Sequence, residues 1–184
     1  MVQVANTEGD ELAIRVDKSH RLPKDYVPKQ LAELSAEVIR TRTKIRVKRE
    51  LLDPLRHLNK AARRDGIDLS VISGYRSFER QTEVYKSWLR REGGDVDATD
   101  KYSARPGHSE HQLGTVVDFS TSEIKDGIGP QFNRTRAATW LAENAGQFGF
   151  RLSYPKGRKR ETGSPPEGWR GRSCGDSPRG QGSG

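Results

Sequence analysis

Ten residues in the middle of the chain limit its fold and chemistry most. Residues 109–118 read Ser-Glu-His-Gln-Leu-Gly-Thr-Val-Val-Asp, so His111 and Asp118 lie on either side of Gly114 and a short apolar run. A tight turn at the glycine followed by a strand would aim both side chains into one cleft. Imidazole and carboxylate are ligands of catalytic zinc ions, which keep one coordination position open for water. The segment therefore predicts two zinc ligands, His111 and Asp118, and requires a third from elsewhere.

The net charge of the chain indicates an acidic partner but does not say which kind. The 184 residues fit one domain, and 33 Lys and Arg against 25 Asp and Glu give a formal net charge of +8. Basic proteins are attracted to nucleic acids, anionic membranes and acidic wall polymers alike. The basic run at residues 156–160 has no interleaved aromatic residues of the kind that stack on bases. We therefore expect no nucleic-acid partner and keep a basic nucleic-acid-binding domain only as a separate alternative.

The cysteine content and the hydropathy of the chain limit which disulfides and membrane-spanning segments it can form. Cys174 is the single cysteine, so an intrachain disulfide is impossible. No apolar run approaches the roughly 20 residues needed to cross a bilayer, and residues 1–10 lack the basic start and apolar centre of a signal peptide. We expect a monomer without a transmembrane segment.

Apolar periodicity predicts alternating helices and short strands. The predicted helices cover residues 30–45, 51–62, 78–91 and 134–147, and the predicted strands cover residues 67–73, 115–119 and 150–152. Pro54 should either start the second helix with Asp53 as its N-cap or bend it, Gly66 should end it, and Ser77 should cap the third helix. Tyr75, Trp88 and Trp140 are expected in the core. This pattern predicts an α+β fold.

The composition predicts three segments. Residues 1–20 are expected to form a mobile N-terminal segment, residues 21–163 the folded domain, and residues 164–184 a tail dominated by Gly, Ser, Pro and Arg. That tail contains no Val, Ile, Leu, Phe or Tyr, so it can bury little apolar surface.

Several motifs in a fixed order carry a family resemblance. They are Ser-Gly-Tyr-Arg-Ser at residues 73–77, Tyr-Ser-Ala-Arg-Pro-Gly-His-Ser-Glu-His at residues 102–111, and the segment 114–119. This set resembles the VanY-like D-alanyl-D-alanine carboxypeptidase family of bacterial cell-wall zinc peptidases, from about residue 22 to about residue 163, with further matches in the tail. The resemblance implies a small, mainly antiparallel sheet packed against several helices, with a zinc site in the central cleft.

The same resemblance implies roles for individual residues. Arg76 would stabilise the oxyanion, Ser109 and Gln81 would bind the substrate, and Glu167 would be the catalytic base. His108 would shape the substrate entrance. The implied partner is a peptidoglycan stem peptide, and the implied location is the bacterial cell envelope or the extracellular space.

The second metal motif departs from the family at its critical position, that of the metal ligand. Residues 167–176 read Glu-Gly-Trp-Arg-Gly-Arg-Ser-Cys-Gly-Asp, which places Arg170 where the family has its third zinc ligand, a histidine. Arginine stays protonated in proteins and does not ligate zinc, and Cys174 and Asp176 are displaced from the expected position. Three hypotheses follow: an active zinc carboxypeptidase, a catalytically impaired member that binds the wall without hydrolysis, and an endolysin-type L-alanyl-D-glutamate peptidase.

Overall fold

A computed structural model describes residues 14–127, 129–152 and 170–173. Its strands are β1 (Leu31–Glu33), β2 (Arg40–Thr41), β3 (Arg46–Lys48), β4 (Ser70–Ser73), β5 (Val116–Ser120), β6 (Phe150–Leu152) and β7 (Arg170–Ser173). Its α-helices are α1 (Leu52–Arg64), α2 (Phe78–Arg91), α3 (Val96–Thr99) and α4 (Arg136–Asn144). Short 3₁₀-helices cover Arg49–Leu51, Glu110–Leu113, Ser122–Ile124, Pro130–Arg134 and Ala145–Phe148.

The strands form one five-stranded sheet and one small hairpin-like sheet. The larger sheet has the order β2-β4-β5-β7-β6, in which β2 and β4 are parallel and the other neighbours are antiparallel. The smaller sheet pairs β1 with β3 in antiparallel register. This mainly antiparallel arrangement with several helices confirms the predicted α+β fold.

The main core lies between helices α1 and α4 and the larger sheet. Leu55 and Leu58 of α1, Val117 of β5 and Leu141 of α4 are all fully buried in one apolar cluster. Burial of each leucine contributes about 1.5 to 3 kcal/mol relative to an exposed side chain. The apolar stripe of α1 therefore fixes the helix against the strand that carries Asp118.

The predicted helix over residues 30–45 is wrong. The chain instead forms β1, a turn and β2, and the backbone N–H groups of Val38 and Ile39 both donate to the carbonyl of Ser35 at 3.0 and 3.1 Å. Leu34 and Val38 are buried as the spacing suggested, but on either side of this turn. Pairing of the flanking residues with β3 and β4 outweighs the local near-helical spacing.

The second helix forms, but Asp53 is not its N-cap. A 3₁₀ turn at Arg49–Leu51 runs directly into α1, and Leu51 occupies the N-cap position. Pro54 lies in the first turn of α1, where a backbone N–H has no intrahelical acceptor, so the proline causes no loss of hydrogen bonding. Gly66 follows the helix with φ of 71°, as predicted for a helix stop.

Helix α2 has the predicted bounds and cap. The Ser77 hydroxyl accepts a hydrogen bond from the Arg80 backbone N–H at 3.2 Å. The expected apolar inner face is only half-buried, however, and the buried residue of α2 is polar Gln81. Of the three aromatic residues expected in the core, Trp140 is buried, whereas Tyr75 and Trp88 are half-buried.

The last predicted helix is shorter than its periodicity suggests. α4 starts after Thr135, whose hydroxyl accepts from the Ala138 backbone N–H at 3.1 Å, and it continues as the 3₁₀ turn Ala145–Phe148. The preceding Pro130–Arg134 is also 3₁₀ rather than α-helical. Strand β6 follows at the predicted residues.

Both terminal segments contribute to the described fold. Val16 is 1% exposed and packs with Leu22 and Leu113 in a second apolar cluster, so the described part of the segment predicted to be mobile lies against the domain. Within the predicted tail, β7 is an inner strand between β5 and β6. The predicted domain boundary near residue 163 lies outside the described residues.

Candidate zinc site

A turn delivers His111 to the interior of the protein. His111 lies in the 3₁₀-helix Glu110–Leu113, which ends at Gly114 with φ of 72°. A Cβ atom at Gly114 would lie 3.2 Å from Leu31 Cδ2 and 3.3 Å from Pro28 Cγ. Both the left-handed backbone and this close packing require glycine. The turn then leads into β5 and Asp118.

The tautomer of His111 is fixed by one backbone carbonyl. His111 is 1% exposed, and its Nδ1 atom lies 2.7 Å from the carbonyl oxygen of Gly74. A carbonyl only accepts, so Nδ1 carries a proton and Nε2 is the ring nitrogen placed to bind a metal. An imidazole held in this way by a second partner is the usual state of a metal-ligating histidine.

Gly74 brings that carbonyl into place through very close packing. A Cβ atom at this position would lie 2.5 Å from the Arg46 carbonyl oxygen and 2.7 Å from Ile45 Cγ2. The next residue, Tyr75, donates its backbone N–H to the same Arg46 oxygen at 2.7 Å. The backbone of Arg46 in β3 therefore fixes the acceptor that orients His111.

Asp118 meets the imidazole at a distance suited to a shared ion. Its Oδ2 atom lies 3.2 Å from His111 Nε2, and its side chain is 18% exposed. Ligands at about 2.0 to 2.1 Å from a tetrahedral zinc ion lie about 3.3 Å from each other. His111 and Asp118 therefore fit two adjacent positions of a zinc site.

Three residues form one row across the sheet at this point. In the strand registers, Asp118 of β5 pairs with Ser73 of β4 on one side and with Arg170 of β7 on the other. Directly opposed residues of an antiparallel pair have Cα atoms about 4.5 to 5.5 Å apart. Residue 170 is therefore the direct neighbour of a predicted ligand, but an arginine there does not fit as a third one.

The described residues contain the two predicted zinc ligands and no third one beside them. Residues 14–127, 129–152 and 170–173 hold no cluster of three or more His, Cys, Asp or Glu side chains suited to a metal. Glu167, the predicted base, and Cys174 and Asp176, the displaced alternatives, lie outside the residues that the structure describes.

Arg76 lies shortly after β4, beyond Gly74 and Tyr75, and is held at both ends. Its backbone N–H donates to the carbonyl of His111 at 3.0 Å. Its guanidinium donates from Nη1 to Gln81 Oε1 at 3.0 Å and from Nη2 to Ser73 Oγ at 2.9 Å. These contacts join Arg76 to the histidine turn, to α2 and to the row of residues that contains Asp118.

The other predicted site residues occupy different surroundings. Ser109 is 5% exposed and starts the turn that carries His111. Gln81 is 1% exposed, with its amide hydrogen-bonded inside the protein. The Nδ1 atom of His108 donates to the carbonyl of Asp17 at 2.8 Å, which ties the N-terminal segment to the histidine turn.

Sequence reasoning did not identify two contributors to this site. Gly74 orients His111 through its carbonyl, and Ser73 holds the Arg76 guanidinium. Both belong to the motif at residues 73–77 that carried part of the resemblance. The motif was a usable signal, but only the fold shows which atoms meet.

The chain matches one known family over most of its length. The family described as VanY, D-alanyl-D-alanine carboxypeptidase, matches residues 44–176, a range that includes both predicted ligands and residue 170. The chain belongs to the VanY family. The family is described as a carboxypeptidase family, and its member VanY has been solved in complex with Zn(II).

Individual relatives show the same likeness over most of the chain. A D-alanyl-D-alanine carboxypeptidase of Enterococcus faecalis is 34% identical over 175 residues, which cover 90% of this chain and 60% of that protein. Thus the chain spans three fifths of the length of this VanY relative.

Two solved structures share the fold as well. The structure of the LdcB LD-carboxypeptidase has a TM-score of 0.76 and 30% identity, and the alignment covers 86% of this chain and 74% of that one. The vancomycin resistance D,D-pentapeptidase VanY, solved as a point mutant in complex with Zn(II), has a TM-score of 0.69 and 32% identity, with 86% and 85% covered.

The sequence predicts no transmembrane segment, and the lengths of the described helices can be compared with the length needed to cross a bilayer. Helix α2 has 14 residues, and none of the described helices has the length and apolar character needed to cross a bilayer.

Proposed function

We propose that this chain is a zinc-dependent peptidase of the D-alanyl-D-alanine carboxypeptidase type, acting on peptidoglycan stem peptides. The observation that carries the proposal is the pairing of a tautomer-fixed His111 Nε2 with Asp118 Oδ2 at 3.2 Å. This separation matches that of two neighbouring ligands of a tetrahedral zinc ion, and imidazole and carboxylate are both zinc ligands. The proposed site of action is the cell envelope or the extracellular space.

His111 and Asp118 would hold the zinc ion in this proposal. The ion would supply Lewis acidity at the scissile carbonyl and a nucleophilic water at neutral pH. The roles of the surrounding residues follow from their chemistry.

Arg76 would stabilise the negative charge that develops on the carbonyl oxygen, an effect worth about 2.7 to 4 kcal/mol when one donor provides it. Glu167 would accept a proton from the attacking water and deliver it to the leaving amine. Ser109 would bind the substrate beside the histidine turn, and a substrate contact by Gln81 stays a prediction.

A second candidate function is favoured by the register of β7. Arg170 pairs directly with Asp118, so a guanidinium-bearing residue replaces the family's histidine at the strand position adjacent to a ligand. Two protein ligands bind zinc far more weakly than three, and a nearby positive charge opposes a cation. In this case the chain would bind stem peptides or the wall without hydrolysis.

One experiment separates the two candidates. Zinc content is measured after dialysis against buffer with trace zinc, and D-alanine release is measured from a stem pentapeptide with and without added zinc. Stoichiometric zinc with turnover supports the peptidase and rules out the impaired member. Binding of the pentapeptide without zinc and without turnover supports the impaired member. Cleavage between L-alanine and D-glutamate instead of D-alanine release would show the endolysin-type specificity.

A further inference from the structure

Trp88 is only half-buried, although its place in the amphipathic pattern of α2 predicts a core residue. Its ring stacks on that of Tyr102, with the ring centroids 5.3 Å apart and the planes at 12°. The Arg91 guanidinium carbon lies 5.0 Å from the centroid of the Trp88 ring. Tyr102 itself is 47% exposed. Aromatic stacking and cation–π contacts both favour one ring orientation, so the indole of Trp88 is held in place at the protein surface.

A groove of about 370 Å³ lies along one side of α2 beside this ring. The side chains that line it are two apolar and four polar or charged ones: Val84, Trp88, Arg80, Glu83, Ser87 and Arg90. Arg80 Nη1 donates to Glu83 Oε2 at 2.6 Å, which keeps a donor and an acceptor next to each other. Small-molecule sites combine apolar and aromatic walls with a few polar groups in this way. The groove therefore suits a small polar ligand that has one apolar face.

A sugar ring matches this set of groups. Its C–H groups pack on an aromatic side chain, and its hydroxyl and acetamido substituents exchange hydrogen bonds with carboxylate, guanidinium and hydroxyl groups. A purely apolar ligand would take Glu83 and Arg80 out of water without offering them hydrogen bonds. A single-stranded nucleic acid would also stack on Trp88, but its phosphates would meet the carboxylate of Glu83. An uncharged sugar is therefore the occupant that the groove favours.

Helix α2 connects the groove to the proposed substrate cleft. Trp88 follows Gln81, a predicted substrate contact, by seven residues, so the two lie on nearly the same face of α2 and about 10.5 Å apart along its axis. Four extended residues of a peptide span up to about 13 to 14 Å. A stem peptide whose end lies in the cleft therefore reaches far enough to place the sugar that carries it at the groove.

We propose that this groove, with Trp88 as its aromatic surface, binds the glycan sugar to which a peptidoglycan stem peptide is attached. This inference rests on the proposed function, because it concerns the part of the same substrate that lies outside the cleft. Tyr102 and Arg91 keep the indole oriented, and Arg80 and Glu83 form hydrogen bonds with the sugar. The protein then prefers stem peptides that are still attached to the glycan over free peptides.

The indole N–H signal of Trp88 tests the groove without any need for catalysis. Trp88→Leu identifies this signal in the nuclear magnetic resonance spectrum of protein labelled with ¹⁵N-tryptophan. We expect the disaccharide of N-acetylglucosamine and N-acetylmuramic acid, without peptide, to shift the Trp88 signal in a saturable way. The signal of buried Trp140 should not move.

Two substitutions on α2 show whether the groove itself binds the disaccharide. Glu83→Ala removes an exposed acceptor that lines the groove and should weaken disaccharide binding about threefold to tenfold. The matched control Lys86→Ala changes an exposed residue of α2 that does not line the groove, and it should leave disaccharide binding unchanged.

Affinities for two forms of the substrate test the consequence. Calorimetry measures the dissociation constants of a stem pentapeptide and of the same peptide attached to the disaccharide. The attached form should bind the unaltered protein about tenfold more tightly, as expected for one aromatic contact with accompanying hydrogen bonds. Trp88→Leu should bring the ratio of the two constants close to one, and Trp88→Phe, which keeps a ring, should retain part of the preference. Lys86→Ala should keep the full ratio.

The opposite results overturn the proposal. They are an unchanged Trp88 signal at millimolar disaccharide, or equal affinity of the unaltered protein for the two substrate forms. A preference that persists in both Trp88→Leu and Glu83→Ala would place the sugar elsewhere. Shifts of the Trp88 signal with single-stranded DNA but not with the disaccharide would assign the groove to nucleic acid. If the unaltered protein binds neither form of the pentapeptide, the proposed function fails, whereas the response of Trp88 to the disaccharide alone still decides whether the groove binds a sugar.

Discussion

The backbone of Arg170 in β7 pairs directly with that of Asp118 in β5. The strand register thus places the arginine that replaces the family's third zinc ligand next to a predicted ligand, in the same row as Ser73. An offset of two residues would have separated residue 170 from the site by about 7 Å along the strand. The effect of Arg170 on zinc affinity can therefore be tested directly by substitution.

Arg170→His should increase zinc affinity. A histidine beside Asp118 supplies the third nitrogen or oxygen ligand that zinc sites use, so we expect a gain larger than the roughly 10- to 100-fold effect of an outer-shell partner. Zinc bound per chain after dialysis and competition with a chelator measure the change.

The matched control is Arg172→His, the same substitution opposite Val116 in the register. It should leave zinc affinity unchanged. Equal gains from both substitutions would contradict a role for residue 170 at the metal site.

Gly74→Ala should weaken both the fold and the metal site. The added methyl group would lie 2.5 Å from the Arg46 carbonyl oxygen, so the strand must shift, at a cost of about 1 to 3 kcal/mol in the free energy of unfolding. The shift moves the carbonyl that orients His111, and zinc affinity should fall about 10- to 100-fold.

The control for Gly74→Ala is Gly146→Ala, where a Cβ atom would meet nothing within 4 Å. Chemical denaturation and zinc titration of both variants decide the outcome. If the Gly74→Ala protein is destabilised but binds zinc with normal affinity, Gly74 does not support the metal site.

Val16→Ala should destabilise the histidine turn. Val16 is 1% exposed and packs on Leu113 at the end of that turn, and the loss of its buried surface should cost part of the roughly 1.5 to 3 kcal/mol gained by burying such a side chain. Hydrogen exchange of residues 107–113 should accelerate. Val27→Ala removes the same atoms from a side-chain position that is 61% exposed, and it should have little effect. Equal exchange rates in the two variants would contradict the role of this packing.

Loss of the Asp126 carboxylate should reduce the acid sensitivity of the fold. The Arg40 guanidinium has the largest effect on the pKa of Asp126 and holds it below its usual value. Burial raises this pKa, and the Ser70 hydroxyl, which donates to Asp126 Oδ1 at 2.7 Å, lowers it. A lowered pKa in the folded state contributes stability above the unfolded pKa of about 3.9, and that stability is lost as the pH falls through the folded pKa.

Asp126→Asn should therefore be less stable than the original protein at pH 7, by about 1.5 to 3 kcal/mol, and should lose less stability between about pH 5 and pH 2. Thermal unfolding across this range measures both. The control Asp53→Asn removes one partner of an exposed ion pair with Arg56 and should change the free energy of unfolding by less than about 1 kcal/mol. An unchanged pH slope in Asp126→Asn would contradict the assigned role.

Prediction from sequence succeeded where strong local signals specify an element. Helix α2 begins after its Ser77 cap as predicted, because a side-chain cap and an amphipathic pattern specify the same residues. Residues 30–45 failed because pairing with β3 and β4, which the local spacing cannot show, determines their conformation. His111 and Asp118 come together as the short turn and strand between them predicted. The support that Gly74 gives to His111 comes from a segment distant in sequence, so only the fold reveals it.

The order of the strands has a consequence for how the protein is made. β6 joins the larger sheet through β7, although seventeen residues, at positions 153–169, separate the two strands along the chain. A ribosome therefore releases residues 150–152 before the segment that attaches them, and the row containing Asp118 is completed only when residue 170 has emerged. Cleavage by a protease anywhere between these two strands would leave a long N-terminal and a short C-terminal fragment. Only the backbone pairing and packing of the strands would hold these fragments together.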